Sequence, residues 1–290
     1  MEKVSGRTNQ LFVGLASFLR KFLFKVLSVG PIPRHIAFIM DGNRRYAKKT
    51  NSAEGAGHRA GHSSLVSALA YCYEMGVKYA TVYAFSIDNF KRRPEEVQSL
   101  MALMQEKIEE LLESESIVSE YGTRVYFIGN LKLLSEPVRL AAEKAMKATA
   151  KNEKTALLIC IAYTSCDEIA HAVEQACEDK GREVESLVCF RDGLVIGEVE
   201  ECGRERKVPS VIKLVDVERQ MYMAVAPDPD ILIRSSGESR LSNFLLWQTR
   251  HCPLYSTAAL WPELGLWHLV WAVLDFQRSY KYLEKKKKKM

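Results

Sequence analysis

The sequence predicts an α/β fold: a mostly parallel central sheet flanked by helices on both faces. Three observations carry this. Short, strand-length apolar runs alternate along the chain with stretches of helical period, the order that builds parallel sheets. Two of the runs, Ile36 to Met40 and Ile231 to Ile233, lie far apart in sequence, and each ends in a burst of Gly, Asn, Ser, Arg and acidic residues. The composition is that of a globular protein able to bury a sizeable core, with 290 residues, 47% hydrophobic and 27% charged.

Residues 1–30 precede this pattern. Leu11, Phe12, Leu15, Phe18, Leu19, Phe22, Leu23, Val26 and Leu27 recur near a 3.6-residue period, interrupted by Arg20, Lys21 and Lys25. Three charges exclude a comfortable membrane span. The positive charges do not precede the apolar core as in a signal peptide. Two readings stay open: an amphipathic helix lying on a membrane surface, or a helix docked on the domain or a partner.

Residues 31–284 form the body. Pro31 and Pro33 separate the helix from the first strand, Ile36 to Met40. A helix is expected from about Gly61 to Met75, then a strand rich in β-branched and aromatic residues, Tyr79 to Phe85. Pro94 opens a helix with the apolar stripe Val97, Leu100, Met101, Met104, Ile108, Leu111 and Leu112. Arg124 to Gly129 and Ala156 to Tyr163 read as strands, with a helix from Pro137 to about Ala150 between them and another from Asp167 to Cys177 after them. Residues 178–226 are charged, hold several glycines and short apolar patches (Leu194 to Ile196, Val211 to Val215), and read as a variable insertion. The strand Ile231 to Ile233 and a last helix bearing Leu266, Leu269, Val270, Val273, Leu274 and Phe276 close the body. Residues 285–290 are a basic tail.

The formal net charge of +5 is matched by the five lysines of that tail, so the body is near neutral and no nucleic-acid face is expected. The tail itself suits a solvated terminus or an anionic membrane surface. Seven cysteines show neither a CxxC pair nor zinc spacing, which favours a reducing compartment. His35, His62, His171, His251 and His268 have no ligand spacing and read as structural. No P-loop is present, which argues against nucleotide hydrolysis of that type.

The chemistry sits at the strand ends, where open α/β sheets bind ligands. Asp41 is a lone carboxylate followed by Gly42 and Asn43. A plain Asp-Gly turn would look the same, but Arg44, Arg45, Lys48, Lys49 and His58 surround it with cations. A carboxylate that holds Mg²⁺ beside cationic donors is a common grip on a diphosphate. Arg234, Arg240 and Ser242, with Ser235 and Ser236, would capture a second anion from one loop, although surface ion pairs are the simpler reading of such arginines. Ser86, Asp88 and Asn89 mark a third strand end and would equally suit a helix cap. The Val97 to Leu112 stripe reads as core, and Met101 and Met104 would also suit the wall of an apolar tunnel.

Taken together, the motifs resemble the cis-prenyltransferases, the family of undecaprenyl and dehydrodolichyl diphosphate synthases, over roughly Pro31 to Tyr282. The resemblance rests on the segments His35 to Lys49 (HIAFIMDGNRRYAKK), Gly57-His-Arg-Ala-Gly61, Tyr83 to Phe90 (YAFSIDNF), Asp230 to Gln248 (DILIRSSGESRLSNFLLWQ) and Leu260-Trp-Pro-Glu263. It is strongest to plant members, which include dolichol-type and rubber-type enzymes. It implies sequential addition of isopentenyl diphosphate to an allylic diphosphate such as farnesyl diphosphate, with loss of diphosphate and a new cis double bond, and an apolar tunnel for the growing chain. By the family pattern Asp41 is the Mg²⁺-linked catalytic carboxylate. Gly42, Asn43, Arg44, Arg45 and His58, with Tyr46 beside them, hold the allylic diphosphate. Arg234, Arg240 and Ser242, with Leu241 between, hold isopentenyl diphosphate. Ser86 and Asn89 lie where proton removal is assigned, and Asp88, Phe90, Arg92 and Glu96 match further substrate positions.

Three departures qualify the match. Glu54 stands where bacterial members have an arginine. Ser239 and Pro253 replace a His and a Glu near the metal, leaving Asp41 as the implied protein ligand. The chain ends Arg278-Ser-Tyr-Lys-Tyr-Leu-Glu-Lys without the Arg-x-Gly of self-sufficient members, which implies a Nogo-B-receptor-like partner subunit. The implied location is the cytosolic face of the endoplasmic reticulum membrane, with a rubber particle as the alternative. A catalytically silent scaffold is the other alternative, and retention of Asp41, Arg45, Arg234 and Arg240 argues against it.

Overall fold

The structure, a computed structural model, describes residues 17–192 and 211–287. A helix α1 at 17–27 leads through Pro31 and Pro33 into β1 (His35–Ile39), α2 (Asn43–Lys49), α3 (Glu54–Glu74) and β2 (Tyr79–Ser86). A 3₁₀ turn (Ile87–Lys91) precedes α4 (Pro94–Glu110), α5 (Ile117–Tyr121), β3 (Thr123–Ile128), α6 (Glu136–Ala148), β4 (Thr155–Tyr163) and α7 (Ser165–Asp192). Then come α8 (Leu214–Gln220), β5 (Ile231–Arg234), β6 (Leu254–Ser256) and α9 (Leu266–Lys287).

The six strands form one sheet in the order β3-β4-β2-β1-β5-β6, and every pairing is parallel. The chain steps away from β1 on one side through β2, then returns to build β5 and β6 on the other. This reversal puts the topological switch point between β1 and β5, where such sheets open a crevice. The register sets Ile39 opposite Arg234, so the residues that follow β1 meet the end of β5.

Side-chain alternation divides the core. Ile36 and Phe38 face a large cluster under α3, α4, α6 and α9, while Ala37 and Ile39 face a smaller one with Tyr163, Phe244 and Leu245. His35 is fully buried at the start of β1. Its Nδ1 lies 2.6 Å from the Pro227 carbonyl, which only accepts, so Nδ1–H donates there and Nε2 accepts from the Thr81 hydroxyl at 2.7 Å. Burial pushes its pKa down to about 4, against the raising effects of the Pro227 bond and Asp230.

Several elements differ from the expectation. The segment NRRYAKK forms α2, which shows no apolar stripe because only Ala47 is buried. Helix α3 starts at Glu54, seven residues before Gly61, and α7 continues past Cys177 to Asp192. The edge strand β6 is three residues long, too short to show alternation. The expected apolar patch Leu194 to Ile196 and residues 11–16 of the first helix lie outside the described residues, as does the end of the basic tail.

Helix α1 docks by one face. Phe24 and Leu27 are buried, Arg20 pairs with Glu74 of α3 at 2.8 Å, and Gln277 of α9 donates to the Leu27 carbonyl at 2.8 Å. Its other face leaves Phe18, Leu19, Phe22 and Val26 exposed. Among the described residues no helix is long and apolar enough to cross a membrane.

Candidate active site

The site is built on the carboxyl ends of β1, β2 and β5. Asp41 leaves β1 with its backbone clamped: its N–H donates to Ser235 Oγ at 2.9 Å, and its carbonyl accepts from the Ser235 hydroxyl at 2.6 Å and from Trp261 N–H at 3.0 Å. Gly42 follows at φ +109°, and a Cβ there would stand 3.2 Å from the Leu260 backbone, so glycine is required on both counts. The turn leads directly into α2, whose first residue, Asn43, lines the cleft. Helix α3 receives it closely, because Gly57 and Gly61 present bare backbone: a Cβ at Gly57 would lie 2.3 Å from the Asn43 carbonyl, and one at Gly61 2.3 Å from Asn43 Oδ1.

Asp41 Oδ2 accepts from Arg234 Nη2 at 2.8 Å, and Oδ1 faces Arg45 Nη2 at 3.6 Å. Partial burial disfavours the Asp41 charge, but the Arg234 hydrogen bond and charge, with Arg45 and the Ser236 hydroxyl, outweigh it and hold the carboxyl below its ordinary value. Arg234, only 2% exposed, also donates to Ser242 Oγ at 2.8 Å and to the Arg240 carbonyl, while its buried Nε–H has no partner among the described residues. Arg45 donates to the Ser236 hydroxyl and carbonyl. The loop after β5 achieves these contacts with left-handed backbone at Ser236, Ser242 and Asn243.

Across the crevice, Ser86 caps the 3₁₀ turn by accepting from Asp88 N–H. Asn89 Oδ1 and Glu96 both accept from Arg92, at 3.0 and 2.9 Å, and Glu96 also draws Arg44 to 3.7 Å. Asp88 is occupied by Lys91 at 2.7 Å.

A polar cleft of about 560 Å³ is lined by Asp41, Asn43, His58, Ser86, Asp88, Asn89, Arg92, Arg234, Arg240 and Ser242 among others. The structure thus brings most of the expected residues together. Seven do not line the cleft. Gly42 forms the turn after Asp41, Arg44 and Arg45 are exposed on α2, Tyr46 lies half-buried on α2, Phe90 packs edge-on against Phe85 with ring centres 4.9 Å apart, Leu241 joins the smaller core cluster, and Glu96 accepts from Arg92. Ser236, which fixes Arg45, and Asn243, which lines the cleft, complete the set. Their serine- and asparagine-rich loop at a strand end was the available signal.

Beneath the cleft lies an apolar cavity of about 170 Å³ between α3, α4 and the sheet, and Met40, Asn43, His58, Ala84, Leu100 and Met104 line both spaces. Leu100, Leu103, Met104 and Ile108 supply the α4 wall, with Leu111 just past its end; Met101, expected beside them, is instead buried in the core.

Among the described residues there is no cluster of three or more His, Cys, Asp or Glu that would hold a metal alone. The donor set here is one carboxylate facing arginines. It fits a hard cation such as Mg²⁺ that takes most of its oxygens from phosphates and water, and Asp41 Oδ1 is the oxygen left to offer.

The family model described as undecaprenyl diphosphate synthase matches residues 39–283. The chain belongs to that family, the cis-prenyltransferases. As a member it is a transferase of prenyl groups. It is 61% identical to a dehydrodolichyl diphosphate synthase of Solanum lycopersicum over 99% of both chains. It is 55% identical to a rubber cis-polyprenyltransferase of Hevea brasiliensis, again over 99% of each. Among solved structures, the lavandulyl diphosphate synthase from Lavandula x intermedia, in complex with dimethylallyl diphosphate, aligns with a TM-score of 0.66 and 26% identity over 85% of this chain and 95% of that one.

Proposed function

We propose that this cis-prenyltransferase condenses isopentenyl diphosphate repeatedly onto a farnesyl-type allylic diphosphate, yielding a long-chain dehydrodolichyl-type polyprenyl diphosphate. The observation that carries the reading is the Asp41–Arg234 pair at 2.8 Å, set at the sheet's switch point and lining a polar cleft that shares Met40, Asn43, His58, Ala84, Leu100 and Met104 with an apolar cavity. One carboxylate among cations suits two diphosphates, and the cavity suits their hydrocarbon.

In each cycle the alkene of isopentenyl diphosphate attacks C1 of the allylic partner, the C1–O bond breaks, diphosphate leaves with the electron pair, and C2 of the incoming unit loses a proton. Negative charge grows on the departing diphosphate. Arg44 and Arg45, with the backbone of Gly42 and Asn43 and the His58 ring, hold the allylic diphosphate where that charge develops, Arg45 being steadied by Ser236. Asp41 would hold Mg²⁺, which would supply positive charge to the departing diphosphate. Arg234, Arg240 and Ser242 hold isopentenyl diphosphate, and because Arg234 also grips Asp41, the two substrate positions share one hydrogen-bond network. Asn89, tied to Arg92, and Ser86 stand on the side assigned to the proton. Each added apolar carbon gains about 0.8 kcal/mol on leaving water, which favours growth into the cavity between α3 and α4 and its extension as a tunnel.

We assign the chain a partner subunit of the Nogo-B-receptor-like type; the reading is supported by its mouse and human relatives, each 39% identical over 94% of this chain, which are named as subunits of a dehydrodolichyl diphosphate synthase complex. The exposed Phe18, Leu19, Phe22 and Val26 beside Lys21 and Lys25 support a position on a membrane surface, which we place at the cytosolic face of the endoplasmic reticulum. The 55% identity to the Hevea enzyme keeps rubber synthesis on a particle monolayer as the second reading.

Equilibrium binding of farnesyl diphosphate tests the assignment. Binding that requires Mg²⁺ in the wild type and is lost in Asp41→Ala supports it; equal binding in both proteins contradicts it.

A further inference from the structure

A second cationic site lies at the opposite, amino end of the sheet. A pocket of about 360 Å³ there is lined by Arg34, Lys78, Arg124 and Lys154, with Tyr79, Tyr126 and Asn152 among the remaining residues. The parallel register explains the convergence. Arg34, Lys78 and Lys154 each stand immediately before a strand (β1, β2 and β4), and Arg124 is the second residue of β3. These are four adjacent strands, spaced about 4.8 Å apart, so the four cations share one short rim.

Little neutralises them. Glu153 is the one carboxylate lining the pocket, and none of the four cations makes an ion pair among the described residues. Asp230 borders Arg34 on its other side, but one of its oxygens already accepts from the backbone N–H groups of Arg34 and His35. The guanidinium of Arg34 lies over the Tyr79 ring at 5.5 Å, and that of Arg124 over Tyr126 at 5.0 Å. Ring stacking orients both forks without consuming their N–H donors. Asn152 donates to the Thr123 carbonyl at 2.8 Å and the Thr123 and Thr155 hydroxyls bond at 2.8 Å, which fixes the floor.

We infer that this pocket binds a multiply charged phosphate group, held by Arg34, Lys78, Arg124 and Lys154, and that it is separate from the catalytic crevice. Four unpaired cations of both kinds, forked and compact, match a diphosphate or a phosphomonoester better than a single carboxylate. A strand's length, roughly 20 Å, separates the pocket from Asp41, so the site does not serve the transferred diphosphate directly. The phosphate comes either free in solution or on a lipid headgroup.

The test uses the full chain and the double variant Lys78→Ala/Lys154→Ala. Calorimetric titration with inorganic diphosphate at low salt reads the number of sites. Flotation reads binding to phosphatidylcholine vesicles with and without phosphatidic acid. Mg²⁺-dependent farnesyl diphosphate binding and circular dichroism confirm that the variant's crevice and fold are intact. One equivalent of diphosphate more in the wild type than in the variant, or one class of sites weakened tenfold or more in the variant, supports the site with free phosphate as the source. Equal diphosphate binding in the two proteins, with a phosphatidic-acid preference that disappears in the variant, supports it with the headgroup as the source. Identical diphosphate stoichiometry and identical vesicle preference in the two proteins overturn it.

Discussion

Gly57→Ala is the sharpest test of how the fold positions the site. The added Cβ would fall 2.3 Å from the Asn43 carbonyl oxygen and 3.0 Å from the Ala47 Cβ. The oxygen belongs to the backbone, so no side-chain rotation relieves the contact. Reaching even 3.0 Å requires α2 to move off α3 by at least about 0.7 Å, and ordinary contact needs about 1 Å. Alanine gains about 1 kcal/mol over glycine in a helix, while overpacking costs about 1–3 kcal/mol, so stability falls by about 2 kcal/mol at most. Catalysis should suffer more, because α2 carries Arg44 and Arg45, and a misplacement near 1 Å costs about a hundredfold in rate. Gly55→Ala is the internal control: it lies in the same helix, and its Cβ would meet nothing within 4 Å. Thermal unfolding and incorporation of labelled isopentenyl diphosphate, run on both variants, read the two effects separately. Wild-type turnover in Gly57→Ala, or equal losses in the two variants, would refute the claim that close α2–α3 packing sets the arginines.

Arg234→Met should raise the Asp41 pKa, because burial then acts on the carboxyl without its strongest opposing partner; the acid limb of the pH–rate profile moves upward, and a limb that stays in place contradicts the pairing. Ser236→Ala removes the hydroxyl that steadies Arg45 and should raise the KM for the allylic substrate several-fold with little change in thermal stability, read by steady-state kinetics. Buried, neutral His35 has a folded pKa of about 4, below its ordinary 6.5. The unfolded state therefore binds more protons between those values. Its stabilising effect is complete above about 6.5 and is lost as pH falls toward 4, at up to about 1.4 kcal/mol per pH unit. Denaturant midpoints at pH 7 and 5 should show this slope, and His35→Phe should reduce it.

The strands that set the architecture were legible because each is a buried apolar run. β1 and β5 also marked the candidate site in sequence, since each ends in a polar burst and the sheet sets the two ends side by side. Helix α2 left no such trace: it buries little, and its position depends on glycines in α3 whose role is a tertiary contact. Met101 and Met104 share one stripe, and only the packing of α4 decides that Met104 faces the cavity while Met101 faces the core. The first helix was ambiguous between membrane and domain because it has two apolar faces; Phe24 and Leu27 dock, and Phe18 and Phe22 do not. Ser236 and Asn243 enter the site through left-handed backbone, which residue types at those positions suggest but do not specify.

The most direct measurement is incorporation of labelled isopentenyl diphosphate with Mg²⁺ and farnesyl diphosphate, comparing wild type with Asp41→Ala, each with and without a Nogo-B-receptor-like subunit. The account predicts long polymer from wild type with the partner present and none from Asp41→Ala. Equal polymer from the two proteins, or none from wild type under every condition, would contradict it.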